Sequence, residues 1–221
     1  MTTTLITGAN RGIGLSLAAL HAERGDRVIA ICRSRSPELD AIPDVEIHDG
    51  VDVTDEAAIA RVAGALAGTV LDRVILNAGV LRADSLDDFE VSDVRAQLEV
   101  NAIAPLRWVR ALRPRFARGS KLALITTRMA SMADNGSGGY YGYRMSKAAL
   151  NAAGVSLARD LASDGVAVVL VHPGFVRTGM TGGSGNVDPD DAAAGITARI
   201  DALTLETSGS FVHANGQALP F

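Results

Sequence analysis

The chain has 221 residues, 48% hydrophobic and 21% charged, with a formal net charge of −4. That length supports one sizeable core, so a single domain over residues 1–221 is expected. The acidic balance leaves no Lys/Arg footprint for nucleic acid, the lone Cys32 excludes an internal disulfide framework, and no apolar run nears the ~20 residues of a membrane span.

Thr3 to Thr7 is short and β-branched and reads as a buried strand. Its start at Thr3 or Thr4 leaves no room for a signal peptide, and a reducing, cytoplasmic setting is expected. Gly8-Ala9-Asn10-Arg11-Gly12-Ile13-Gly14 follows, and then a helix from Leu15 to Arg24 that stops at Gly25. A strand, a Gly-rich turn and a helix make a phosphate cradle, because glycines let the backbone approach a pyrophosphate and the helix start offers free N–H groups. Arg27 to Cys32 reads as the second strand. Dinucleotide folds that take NAD carry an acid at its end, where this chain has Arg33, with Arg35 two residues on. An arginine there suits a 2′-phosphate, and Arg11 can point to the same place, so NADP is expected over NAD. The alternative is that these arginines are solvated loop residues.

Val45 to His48 is the third strand. Asp52, in Val51-Asp52-Val53-Thr54, can take an adenine amino group, the alternative being a helix N-cap near Thr54. A helix over Ala57–Leu66 and a strand over Leu71–Leu76 lead to Asn77-Ala78-Gly79. Val91 to Phe116 is mostly helical, with Asn101 in mid-run and a kink or break at Pro105. Lys121 to Thr127 is the fifth strand and Arg128 to Gly139 a loop. An Ala-rich helix then carries Tyr143 and Lys147 to about Asp164. On a helix such i, i+4 residues share one face, roughly 5–6 Å apart at Cβ. An ammonium that close should lower the phenol from about 10 towards neutrality, which suits proton exchange with an alkoxide or alcohol. The continuous apolar run Val166–Val171 is a strand buried on both faces, ended by His172-Pro173-Gly174. Gly179 to Asn186 reads as a mobile, lid-like loop, Asp188-Pro189 starts a helix, and Ser210 to Val212 is the last strand.

Strands alternating with helices predict a doubly wound, Rossmann-like parallel sheet with helices on both faces, its ligand beyond the carboxyl ends of the strands. Gly8, Arg33, Asp52, Asn77, Thr127 and Gly174 all fall at such ends. In this order the residues resemble the short-chain dehydrogenase/reductase family over essentially the whole chain: Thr7-Gly8-xxx-Gly12-Ile13-Gly14, Asp52-Val53, Asn77-Ala78-Gly79, Asn101, Tyr143-xxx-Lys147 and Pro173-Gly174. The stretch from Asp134 to Lys147 and the tail Gly216 to Phe221 resemble its C-factor and sniffer-like carbonyl reductase branch.

The resemblance implies an NADP(H)-dependent oxidoreductase that reduces a ketone or aldehyde, or runs the reverse. Tyr143 would be the acid/base, Lys147 the group that lowers its pKa and binds the nicotinamide ribose, and Asn101 the holder of a relay water. It extends the cofactor set to Asn10, Ile13, Val53, Ala78, Gly79, Pro173, Val176 and Thr178. Where the family has a serine to orient the carbonyl, this chain has Thr127; strand register favours Thr127, and Ser131 is the alternative. Tyr140 and Tyr141 are expected beside the substrate, Trp108 in the core or an interface, and His172 as a satisfied strand-end residue. No metal-ligand spacing occurs among the four histidines and one cysteine. The long helices 91–116 and 143–164 often pair across subunits in the family, which allows a homodimer or homotetramer, the alternative being that their Ala-rich faces pack within one chain. The rival reading is a non-catalytic dinucleotide-binding signalling protein, kept open by the C-factor resemblance and by Thr127.

Overall fold

The computed structural model describes residues 1–221. Seven strands form one sheet in the order β3-β2-β1-β4-β5-β6-β7: β1 (Thr3–Thr7), β2 (Arg27–Ile31), β3 (Val45–His48), β4 (Arg73–Leu76), β5 (Lys121–Ile125), β6 (Ala167–His172) and β7 (Ser210–His213). Every pairing between these strands is parallel, so each connection must cross a face of the sheet. The crossings are helices: α1 (Gly12–Glu23), the short α2 (Pro37–Asp40), α3 (Glu56–Ala65), α4 (Val91–Leu98), α5 (Ala104–Leu112), α6 (Tyr141–Asp160) and α7 (Pro189–Ala202). The expected doubly wound sheet is therefore the fold.

Side chains alternate across the strands and build two cores. Leu5, Ile29, Ile31 and Val74 face one side and pack with Ile59 of α3, Trp108 of α5 and Leu150 of α6. Ile6, Val28 and Ala30 face the other, against Leu17 of α1 and Ile196 and Ile200 of α7. Burial on both faces is why the strands read as apolar runs. Trp108 is 1% exposed, its indole N–H donating to the Val53 carbonyl at 3.1 Å, so it is a core residue.

Several boundaries differ from the expected ones. The first helix begins at Gly12 rather than Leu15, because Arg11 is its extended N-cap. The helix after Asp52 is capped by Asp55, whose carboxylate accepts from the Ala57 amide, rather than by Thr54. The 91–116 run is broken by a π turn over Glu99–Ile103, with Pro105 in the first turn of α5. Proline offers no N–H to the carbonyl four residues back, which is that of Asn101, so a regular helix cannot pass through. The Gly-rich 179–186 stretch is tied down by Arg177, which donates to the Gly185 carbonyl at 2.9 Å and pairs with Asp188.

Candidate active site

The strand order reverses between β1 and β4, and the site residues gather at that crevice. The Thr7 hydroxyl accepts from the amides of Asn77 and Ala78, both at 3.1 Å, and clamps the ends of β1 and β4 together. The Asn77 carboxamide donates to the carbonyls of Thr7 and Gly8 at 3.1 and 3.3 Å, so this side chain shapes the glycine turn. Beneath it α1 approaches so closely that a Cβ on Gly14 would lie 2.1 Å from the Gly8 oxygen and 2.7 Å from Asn77 Nδ2. Gly8 faces Ala78, and Gly12 faces the Thr178 side chain, so the segment after β6 folds over the turn. The first helical bond of α1 runs from Leu15 N to Arg11 O, and no side chain caps the helix. The amides of Gly12, Ile13 and Gly14 are thus free to bind an anion.

Two cations stand by this turn. Arg11 and Arg33 are exposed and belong to none of the ion pairs in the protein. Arg35, by contrast, is paired with Asp40 at 2.7 Å, which leaves Arg33 as the open guanidinium at the end of β2. Asp52 Oδ1 accepts from both the amide and the hydroxyl of Thr54, at 2.9 and 2.7 Å. Those bonds, helped by the charge of Arg33, hold its carboxyl below the usual range. A free helix start, a Gly-only approach and an unpaired arginine fit a dinucleotide carrying a 2′-phosphate.

At the neighbouring end, α6 presents Tyr143 and Lys147 on one buried face, 7% and 4% exposed. Lys147 Nζ donates to the Ile125 carbonyl at 2.7 Å. Burial lowers the lysine to about 8. Burial also pushes the Tyr143 phenol up to about 12, and the opposing influence is the Thr127 side chain beside it. The phenol is therefore raised overall, where the helical spacing suggested it would be lowered. Both groups are desolvated, which disfavours their charged forms, and the ammonium is turned to a main-chain oxygen.

Thr127 caps a short 3₁₀ turn, its hydroxyl accepting from Met129 N at 3.2 Å with its own proton free to donate. Ser131, the alternative, is 1% exposed and its hydroxyl accepts from Asp134 N at 3.1 Å. Asn101 is fully buried on the π turn. Its Oδ1 accepts from Val80 N at 2.9 Å, and its Nδ2 donates to Val80 O at 2.8 Å and Ser146 Oγ at 3.0 Å. A Cβ on Gly79 would stand 3.1 Å from Asn101 Oδ1 and 3.5 Å from Lys147 Nζ, so these three meet at one point. His172 Nδ1 accepts from Gly174 N at 3.4 Å, and its ring meets that of His213 edge-on at 4.8 Å. It is a satisfied strand-end residue.

Some residues of the site carried no assigned role in the sequence. Thr7 and Ser146 lie within or beside the motifs and act through hydroxyls whose partners are remote in sequence. Arg144, next to Tyr143, bonds the loop at 128–139, and Asp84 meets the start of α6 across 57 residues.

Residues 2–187 match the short chain dehydrogenase family. A 1-hydroxy-2-glutathionyl-2-methyl-3-butene dehydrogenase of Rhodococcus sp. (strain AD45) is 40% identical over 225 residues, covering 99% of each chain. The C-signal of Myxococcus xanthus is 40% identical over 154 residues, 68% of this chain and 93% of its own length, in keeping with the C-factor resemblance. Among solved structures, an NADPH-bound carbonyl reductase from chicken fatty liver superposes with a TM-score of 0.92 at 27% identity, covering 100% of this chain and 99% of its own. No helix is long and apolar enough to cross a membrane. With the seven-stranded parallel sheet, the glycine turn and the Tyr143/Lys147 face in place, the chain belongs to the short-chain dehydrogenase family of oxidoreductases.

Proposed function

We propose that this chain is an NADP(H)-dependent oxidoreductase that reduces a ketone or aldehyde to an alcohol, or runs the reverse, with Tyr143 as proton donor. The observation that carries the reading is the meeting of Tyr143 with Thr127, and of Lys147 with Gly79 and Asn101, at the carboxyl ends of the strands. The free amides of Gly12 to Gly14 would hold the pyrophosphate, Arg33 and Arg11 the 2′-phosphate, and Asp52 the adenine end. Asn77, Ala78 and Gly79 would line one wall, and Pro173, Gly174, Val176 and Thr178 the other. Bound NADPH supplies the hydride. Thr127 donates a hydrogen bond to the substrate carbonyl oxygen and holds it near the Tyr143 hydroxyl. As negative charge develops on that oxygen, Tyr143 transfers its proton. A phenol held near 12 is fully protonated at neutral pH, the state a reductase needs at this position. Lys147, lowered to about 8, still carries charge at pH 7 and favours the phenolate left behind. The Asn101 carboxamide is committed to Val80 and Ser146, so a water relay to Lys147 would use its main-chain carbonyl, the one Pro105 cannot bond.

The test is consumption of NADPH, followed by absorbance, against a panel of small ketones and aldehydes. The reverse direction uses NADP and alcohols. The Rhodococcus relative places a glutathione-conjugated primary alcohol on that panel. Turnover that prefers NADPH to NADH is the expected result. Tight NADPH binding without turnover of any compound would favour the dinucleotide-binding signalling protein instead.

A further inference from the structure

Tyr143 lies on the first turn of α6, and that turn has no cap of its own. Its N-cap is Tyr140, which makes no side-chain cap bond and holds a left-handed backbone at φ 54° that disfavours a bulky residue. The cap comes from Asp84, in the connection after β4. The Asp84 carboxylate accepts from the amides of Tyr141 and Gly142, the second at 2.9 Å, and its main-chain carbonyl accepts from Tyr140 N at 2.9 Å. Three successive amides at the helix start thus end on one distant residue. The approach is close: a Cβ on Gly142 would stand 2.4 Å from Gln97 Nε2 and 3.2 Å from Asp84 Oδ2. A carboxylate here also meets the positive end of the helix dipole.

On the other side of Tyr143 is Arg144. Its guanidinium donates to the Gly139 carbonyl at 3.0 Å, the Met129 carbonyl at 3.1 Å and the Ser137 hydroxyl at 2.9 Å. The loop so gathered starts from Thr127, and Met129 is the residue whose amide bonds the Thr127 hydroxyl. One arginine therefore ties the residue next to Tyr143 to the turn that orients Thr127. Asp84 sets where the helix begins, and Arg144 sets where the loop lies against it.

We propose that Asp84 and Arg144 are the positioning residues of the site, jointly holding the Tyr143 phenol and the Thr127 hydroxyl on one substrate oxygen. Neither belongs to the chemistry, and the proposal rests on the reductase reading above. Misplacing a reacting group by 1 Å costs on the order of 10²-fold. Asp84→Ala and Arg144→Met are therefore expected to lower kcat for the best carbonyl by about that factor. NADPH affinity, measured by fluorescence titration, should stay at the wild-type value. The conservative variants retain part of each clasp: Asp84→Asn keeps one acceptor oxygen, Arg144→Lys keeps one donor group, and both should recover part of kcat. If Asp84→Ala does not fold, Asp84→Asn alone decides, by a kcat between wild type and Tyr143→Phe.

Amide hydrogen exchange gives a readout that does not depend on turnover. Exchange should quicken at Tyr141 and Gly142 in the Asp84 variants and across residues 128–139 in Arg144→Met, while the sheet stays protected. If the wild type turns over no carbonyl, the reductase reading fails and exchange alone decides the clasp. Wild-type kcat with wild-type exchange at those amides overturns the proposal. So does a loss of kcat matched by lost NADPH affinity or by faster exchange throughout the sheet.

Discussion

Gly14→Ala puts the meeting of β1, β4 and α1 to a direct test. An ideal Cβ at this position stands 2.1 Å from the Gly8 oxygen, 2.7 Å from Asn77 Nδ2 and 2.8 Å from the Gly8 carbonyl carbon. Two of the three neighbours are backbone, so swinging the Asn77 side chain away cannot relieve the clash. Relief requires α1 to move off the turn by about 1 Å or more, which breaks the approach that the cradle needs. Overpacking of this kind costs roughly 1–3 kcal/mol, against which alanine gains up to about 1 kcal/mol of helix propensity. With that gain subtracted in full, net destabilisation should reach up to about 2 kcal/mol in urea unfolding. NADPH affinity should fall at least tenfold, since about 1.4 kcal/mol of lost contact suffices for that. Gly64→Ala is the control: it sits inside α3 with nothing within 4 Å of the added carbon, and it should gain ~0.5–1 kcal/mol and leave NADPH binding alone. Equal stability and equal NADPH affinity for wild type and Gly14→Ala would refute the reasoning.

Three further outcomes follow from the same geometry. Arg33→Asp should weaken NADPH far more than NADH, because it removes the open guanidinium and adds repulsion, and equal losses for both cofactors would count against the 2′-phosphate role. Thr127→Ser should keep or raise kcat, Thr127→Ala should lose most of it and Ser131→Ala should matter less; the opposite ranking in steady-state rates would move the substrate contact to Ser131. His172 is held at about 4 in the fold, chiefly by burial, against 6.5 when free. The unfolded chain binds the extra proton, so stability present above pH 6.5 is lost as pH falls towards 4, by up to about 3 kcal/mol from this group. Urea unfolding of His172→Asn at pH 7.5 and 4.5 should show a shallower acid loss than wild type, and identical slopes would contradict the assignment.

The sheet was legible because parallel strands buried on both faces are continuous apolar runs, and Val166–Val171 is recognisable on that ground alone. The candidate site was legible where its residues sit at strand ends, as Gly8, Arg33, Asn77, Thr127 and Gly174 do. What local sequence does not carry is what reaches in from elsewhere. The true start of α6 at Tyr141 depends on Asp84, and the tilt of the loop depends on Arg144 bonding Met129. The π turn that displays Asn101 comes from Pro105, which predicts a kink or a break in the helix but not its form. The Tyr143–Lys147 electrostatics are hidden from the sequence for a related reason. An i, i+4 spacing places two side chains on one face but says nothing of how far each is desolvated or where the ammonium points.

Tyr143→Phe is the most direct measurement of the central claim. It removes one hydroxyl and keeps the buried ring, and Lys147 retains its place on the same face. NADPH titration should stay within a few-fold of wild type, while kcat for carbonyl reduction falls by about 10²–10⁴-fold, the usual contribution of a positioned acid. Lys147→Ala should lose both, since it would serve cofactor and tyrosine together. Wild-type turnover by Tyr143→Phe would contradict the mechanism outright.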